Sequence, residues 1–466
     1  MLDKGEPMTS KLRLLCAALL LVAGNAFARQ SAGSQIRIAY DRFTLPNGLE
    51  VVLHEDHSIP TVTVNVWYHV GSGSEKPGRT GFAHLFEHIM FEGSGNVPEG
   101  KFDEWLEAAG GSNNGSTTTD RTNYFEDAPS NALELMLFLE ADRMGHLLDA
   151  MTPAKVDGQR DVVKNERRQS YENRPYGMAS LAIDENLYPA HHPYHWPTIG
   201  SMEDLTAASY NDVVEFFKTY YVPNNASLVI AGDFEPKATK ALVTKWFADI
   251  PAGKPVPPVE APAAFLTEQK RVVLEDKVQL PRLYLNWLSP VLLAPGDAEL
   301  DVLANILAGG KNSRLYKRLV YDLQIAQDVA AFQSSARLSS SFQIIATARS
   351  GHTLAELANV IFEEIERVKR ESPAPRELQR AVNEYEASFL DRLENIGGKA
   401  DQLNAYFTAT GNPDYFNEDL SRYKALSPED IRAAAQTHLR TGAMVILSVV
   451  PEGKRDLAMP GKEGGK

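Results

Sequence analysis

The sequence predicts an α+β protein made of two similar α/β sandwich domains. Three observations carry that expectation. A proline-rich stretch divides the chain near its middle. Each half opens on strand signals that run into a helix. Each half closes on a helix followed by a returning strand. Strands, helical runs and a strand that folds back make a sheet layer and a helix layer around one core. No short solenoid period is visible, so the duplication is of whole domains.

Residues 1–28 read as a signal peptide. Lys11 and Arg13 precede the apolar run 14–22, and Ala26-Phe27-Ala28 is a small-x-small cleavage pattern. The run is short for a bilayer, and no later segment reaches about 18 apolar residues, so no stable membrane span is expected. The expected location is exported and periplasmic. The one cysteine, Cys16, lies inside this segment, so the mature chain carries no disulfide framework and no thiolate metal cluster.

Residues 37–250 form the first expected domain. Glu50 to His54 and Thr61 to Val70 have strand character, and Gly81 to Phe91 is helical. A polar, glycine-rich stretch, 110–119, precedes the strand Thr122 to Glu126. Helical periodicity returns over Val156 to Tyr171 and over Tyr210 to Tyr220. Val222-Pro223-Asn224-Asn225 then leads into the strand Ser227 to Ala231.

Residues 251–264 are the linker. Five prolines between Pro251 and Pro262 exclude a helix or a central strand. Residues 265–455 form the second domain. It has strands at Lys270 to Leu274 and Arg282 to Leu288, and a helix at Ala298 to Leu307. It closes with a helix at Pro428 to Leu439 and the strand Ala443 to Val450.

Composition narrows the function. Hydrophobic residues at 43% and charged residues at 23% exclude wholesale disorder and fibrous folds. A formal net charge of -14 repels phosphate backbones, so no nucleic-acid partner is expected.

The chemistry centres on His84-Leu85-Phe86-Glu87-His88. On a helix, His84 and His88 stand one turn apart on one face. Two imidazoles so placed can hold one zinc ion. Glu87 falls on the same side, where a carboxylate can take a proton from a water that the metal has acidified. The competing reading is a helix with two surface histidines and an ion-pairing glutamate. A catalytic zinc needs a third protein ligand on another element. Glu166 follows Val162-Val163, and helical periodicity lets it point inward beside them. Periodicity equally allows an exposed Glu166 paired with Lys164 or Arg167. His191-His192-Pro193-Tyr194-His195 is rich in histidine, but its prolines break helical spacing, and it reads as a structural loop.

These motifs together resemble the pitrilysin/insulinase family of zinc peptidases, the inverted zincins related to the mitochondrial processing peptidases. The carriers are His84-Leu-Phe-Glu87-His88, then Val162-Val-Lys-Asn-Glu166-Arg-Arg, then Tyr171-Glu-Asn-Arg-Pro-Tyr176-Gly177. Asn47-Gly48-Leu49, Pro193-Tyr194 and Pro223-Asn-Asn match as well. Gly309-Gly310 and Ser313-Arg-Leu-Tyr316 look like the family's inactive-domain signature. The resemblance covers about residues 37–455. It implies a clamshell of two homologous domains with one zinc per chain, held by His84, His88 and Glu166. It makes Glu87 the general base. It also implies that a peptide binds in extended form at an edge strand, with Asn114 near the scissile bond. In the second half, Asp301, Ala304 and Asn305 fall where His84, Glu87 and His88 stand.

Two departures from the family pattern stand out. Gln159 occupies the place of a helper glutamate seven residues before the distal ligand. Val320 and Gln327 occupy the places of a substrate-binding arginine and tyrosine, and neither can supply their donors. Tyr321 and Arg318 are near but at the wrong spacing. The resemblance therefore implies a zinc-bearing subunit that pairs with a homologous, zinc-free chain. The expected activity is zinc metalloendopeptidase cleavage of peptides or small unfolded proteins. The alternative is a noncatalytic scaffold, assembly or peptide-binding subunit of the same family.

Overall fold

Alternation along the strand Thr61–Tyr68 decides which way the first sheet faces. Val62, Val64, Val66 and Tyr68 enter the main core of this half. Thr63, Asn65 and Trp67 point to the opposite face, yet they too are buried. A strand hidden on both sides has something on each, and the computed structural model shows what. It describes residues 35–460, so the expected signal peptide and Cys16 lie outside the described residues.

The first sheet comprises β1 (Asp41–Thr44), β2 (Glu50–Glu55), β3 (Thr61–Tyr68), β4 (Ser112–Thr117), β5 (Thr122–Pro129) and β6 (Ala226–Gly232). Its order is β1-β2-β6-β3-β5-β4. The second comprises β7 (Lys270–Asp276), β8 (Arg282–Ser289), β9 (Ala326–Ser334), β10 (Ser340–Ala348) and β11 (Val445–Pro451). Its order is β7-β11-β8-β10-β9. Without β1 the two orders are the same. The parallel pairs also correspond, β2 with β6 and β7 with β11, while the other neighbours run antiparallel. This is the duplicated α+β architecture that the sequence predicts.

Helices of the first half are α1 (Phe82–Ile89), α2 (Lys101–Ala108), α3 (Leu133–Ala150), α4 (Pro153–Arg167), α5 (Ala179–Leu187), α6 (Met202–Ala207), α7 (Tyr210–Tyr220) and α8 (Pro236–Phe247). Those of the second are α9 (Asp297–Ala308), α10 (Leu354–Arg370), α11 (Pro375–Arg392), α12 (Ile396–Thr410), α13 (Phe416–Lys424) and α14 (Pro428–His438). The turn after β1 uses Gly48 at φ 88, which only glycine adopts without strain. Beside it, the buried Asn47 amide donates to the carbonyls of Phe247 (2.7 Å) and Ile250 (2.9 Å), which closes the end of α8.

Two helices cross between the halves. From the second half, α12 lies on β6, β3 and β2. Its buried Asn404 amide donates to the carbonyls of Asn65 (3.3 Å) and Ser227 (3.4 Å) and accepts from the Ser227 hydroxyl. This explains the polar residues on the second face of β3. From the first half, α5 lies on β11, β8 and β7. Its Ala179, Ile183 and Leu187 pack with Tyr284, Val445, Leu447 and Val449.

One expectation is corrected. The polar stretch before Thr122 is itself a strand, β4, and it forms the edge of the sheet. Thr122 to Glu126 belongs to the interior strand β5. An edge strand bonded on one side needs no apolar alternation, so composition hid it.

Candidate active site

Helix α1 starts without a local side-chain cap. Gly81 takes the N-cap position at φ 86, and the carboxylate of Glu75 reaches in from the preceding loop. It accepts from Gly81 N–H at 3.0 Å and Ala83 N–H at 2.8 Å, so a buried carboxyl group satisfies the first donors of the helix, and burial raises its pKa well above the ordinary value. Gly81 also meets the backbone of Gly200, and a Cβ there would lie 2.9 Å from Gly200 Cα. Phe82, Leu85, Phe86 and Ile89 are buried in the core. That leaves His84, Glu87 and His88 on the remaining side.

Helix α4 packs against α1. It begins at Pro153 with a Thr152 cap and runs into a π-helical turn, Arg168–Glu172. The expected inward pair Val162-Val163 is half right. Val163 is buried and Val162 is 46% exposed, because neighbours in a helix diverge by about 100°. Glu166 lies one turn beyond Val163 and faces the histidines. Its Oε2 is 3.2 Å from His88 Nε2 and 3.6 Å from His84 Nε2. The possible partners of an outward Glu166 are engaged elsewhere. Arg167 donates to the Gly200 carbonyl at 2.7 Å, and Lys164 lies 3.7 Å from Asp161.

One ligand atom each from His84, His88 and Glu166 lies within 4.8 Å of the others. The two imidazole rings stand 4.9 Å apart at 78°. Burial lowers the pKa of His84, opposed by the nearby Glu166 carboxylate, and so favours the neutral imidazole that ligates a metal. The hydrogen bond from His88 holds Glu166 below the usual carboxylate range. Two nitrogens and one carboxylate oxygen form a donor set that fits zinc with a coordination position to spare.

Glu87 stands apart from that cluster. Its Oε2 accepts from the Thr117 hydroxyl on β4 at 2.6 Å. Sequence reasoning missed Thr117, which is one of several threonines in the polar stretch. It also missed Arg121 at the β4–β5 hairpin. The Arg121 guanidinium lies 5.0 Å from the Trp67 ring centre and donates to the Ser116 carbonyl at 2.9 Å. Asn114 is exposed on the edge strand, and its Oδ1 accepts from Gly115 N–H at 2.8 Å. Gln159 donates to Glu92, just beyond α1.

The histidine-rich loop is built into the fold. His192 is buried and stacks on Tyr188 at 4.8 Å, its Nδ1 accepting from Tyr194 N–H at 3.0 Å. Tyr194 hydroxyl donates to Asp120 at 2.6 Å and accepts from Leu338 N–H at 3.0 Å. In the second half, Asp301, Ala304 and Asn305 all lie on α9. Val320 packs against the second core, and Tyr321 and Gln327 are exposed. Arg318 is taken up by Glu363 at 2.7 Å and Glu364 at 2.8 Å.

Known proteins resemble the chain over most of its length. Residues 50–191 match the family model described as Insulinase (Peptidase family M16), and residues 207–385 match the Peptidase M16 inactive domain. The chain is 30% identical over 391 residues to the zinc protease PqqE of Helicobacter pylori, covering 82% of this chain and 85% of that one. A solved structure of a protease from Helicobacter pylori superposes with a TM-score of 0.84 at 26% identity, covering 89% of this chain and 100% of that chain. The first half of the periplasmic protease PqqL from Escherichia coli superposes at 0.74 with 19% identity, covering 90% of this chain and 94% of that chain. The fold is the two-sandwich clamshell of these peptidases.

Proposed function

Because the chain belongs to the insulinase family of peptidases, family M16, we propose that it is the zinc-bearing subunit of a metalloendopeptidase. The observation that carries this reading is the convergence of His84, His88 and Glu166 beside a Glu87 that is free of them. His84, His88 and Glu166 would hold the metal. Bound zinc would supply a Lewis acid that polarises the scissile carbonyl and acidifies a water.

The chain's own residues do the rest. Glu87 accepts the proton of the attacking water and returns it to the amine nitrogen that leaves when the C–N bond breaks. The free edge of β4 offers main-chain groups to an extended peptide, with tolerance for its sequence, and Asn114 lies on that strand within reach of it. Residues 37–250 would be the working domain and residues 265–455 its inactive homologue, joined by 251–264.

The donors missing at Val320 and Gln327 would come from a homologous, zinc-free partner chain. Arg318 is held by two glutamates, so it does not replace the missing arginine as it stands. The signal-like N-terminus supports export to the periplasm, and no helix among the described residues is long and apolar enough to cross a membrane. The decisive experiment is metal analysis of the purified chain beside Glu87→Gln and Glu166→Gln. One zinc per chain, kept in the first variant and lost in the second, is expected. The reverse pattern would exchange the two assignments and overturn the reading.

A further inference from the structure

The strand that would carry the peptide also holds the carboxylate proposed to take the proton. Thr117 ends β4, and its Oγ1 donates to Glu87 Oε2 at 2.6 Å. Gly115, two residues earlier on the same face, lets the strand come this close to α1. A Cβ there would lie 3.1 Å from Glu87 Cγ and 3.3 Å from Tyr124 Cδ1. Any larger side chain at position 115 would press on the glutamate.

The main chain of Thr117 points the other way. Thr118 N–H donates to the Arg121 carbonyl at 2.8 Å, which makes Thr118 and Arg121 a hydrogen-bonded pair at the hairpin. Thr117 faces Thr122 in the next pair. Successive antiparallel pairs alternate, so the N–H and C=O of Thr117 turn away from β5 toward the free edge. β4 is that edge. One residue therefore offers its backbone to an incoming strand and its hydroxyl to Glu87.

A glutamate's last torsion is broad, so an unanchored carboxylate samples many orientations. A hydroxyl bonded to Oε2 fixes that torsion and leaves Oε1 as the free oxygen. We propose that Thr117 is the positioning residue of Glu87, setting the carboxylate in line with a peptide paired to β4. This rests on the reading of Glu87 as the proton acceptor.

The test uses the full-length zinc-loaded chain, with its homologous partner where turnover requires it, and a fluorogenic peptide. Thr117→Val should lower kcat by about 10- to 100-fold, as expected for a misplaced acid–base group, with KM within about twofold. Zinc content should not change. Thr117→Ser keeps the hydroxyl and should recover most of the rate. A crystal structure of zinc-loaded Thr117→Val supplies a readout without turnover, and in it the Glu87 carboxylate should leave its present orientation. An unchanged kcat, an unmoved carboxylate, or a loss that Thr117→Ser does not restore would each overturn the proposal. A wild-type chain that binds no zinc and cleaves nothing would overturn the parent reading instead, while the crystal structure would still decide whether Thr117 orients Glu87.

Discussion

Asn305 on α9 donates to Glu384 on α11 at 2.6 Å, and this pair stands in the second half where His88 faces Glu166 in the first. The separation along the chain is nearly the same, and the two helices are the counterparts of α1 and α4. The chemistry has changed while the geometry persists. Arg380 lies 3.7 Å from the other oxygen of Glu384, so a guanidinium balances the carboxylate that a metal would otherwise need. At the counterpart of His84, Asp301 accepts from the Tyr423 hydroxyl at 2.7 Å. The second half keeps the frame of the site with its polar atoms committed to neighbouring side chains.

Metal stoichiometry should accordingly be one. His84→Ala, His88→Ala and Glu166→Gln should each lose zinc and hydrolysis together. Glu87→Gln should keep zinc and lose about 10²- to 10⁴-fold in kcat, the range expected for removing a general base. A chelator should abolish hydrolysis, and added zinc should restore it. Metal analysis alongside a peptide assay checks all of these.

Mixing should reveal the partner. The chain alone is expected to turn over slowly. Addition of a homologue that carries the arginine and tyrosine should raise the rate, because donors preorganised near the developing oxyanion are worth about 10²- to 10³-fold. Size-exclusion chromatography should show the two chains together. Full activity in isolation, unmoved by the homologue, would leave a self-sufficient enzyme.

Asp301 should make stability depend on pH. Burial pushes its carboxyl from an ordinary 3.8 up to about 7, the Tyr423 hydroxyl pulling against it and the charge of Asp297 adding to it. A folded-state value above the unfolded one means the folded protein binds the proton more tightly. Its contribution is fully present below about pH 4 and is lost as pH rises through about 7. Asp301→Asn should remove this dependence and become the more stable protein at pH 8, by on the order of a few kcal/mol. Thermal melts of both proteins from pH 4 to 8 measure it.

Arg143 should be costly to replace. It is buried between Glu126 at 3.0 Å and Glu140, with its guanidinium 4.3 Å from the Tyr124 ring centre and 4.5 Å from that of Phe102. Arg143→Met would strand two buried carboxylates. The expected loss is about 3–5 kcal/mol in urea unfolding, as for other broken buried pairs.

The parts of the site that were legible in the sequence are the local ones. His84 and His88 share a face because four residues make about one helical turn, and nothing distant alters that. Helix α1 is shorter than the predicted 81–91 because Gly81 is its cap and the last turn loosens after Ile89. Glu166 could be assigned a role only through the family resemblance, since its neighbours Val162 and Val163 face opposite surroundings. Thr117 was out of reach. Its importance comes from β4 lying against α1, and β4 has no apolar alternation to announce a strand. The crossing helices were equally hidden, because an amphipathic segment does not say which sheet it will cover.

That crossing has a consequence for how the molecule comes into being. Helix α5 covers the sheet built from β7 to β11, and α12 covers the sheet built from β1 to β6. A polypeptide cut at the proline-rich stretch would leave each fragment with one sheet face stripped of its cover and one helix without a seat. The first fragment would bare Thr63, Asn65 and Ser227, and the second would bare Tyr284, Val445, Leu447 and Val449. Neither fragment is a finished object. The half that holds His84, His88 and Glu166 is therefore complete only once the helix bearing Asn404, from the far end of the chain, has taken its seat.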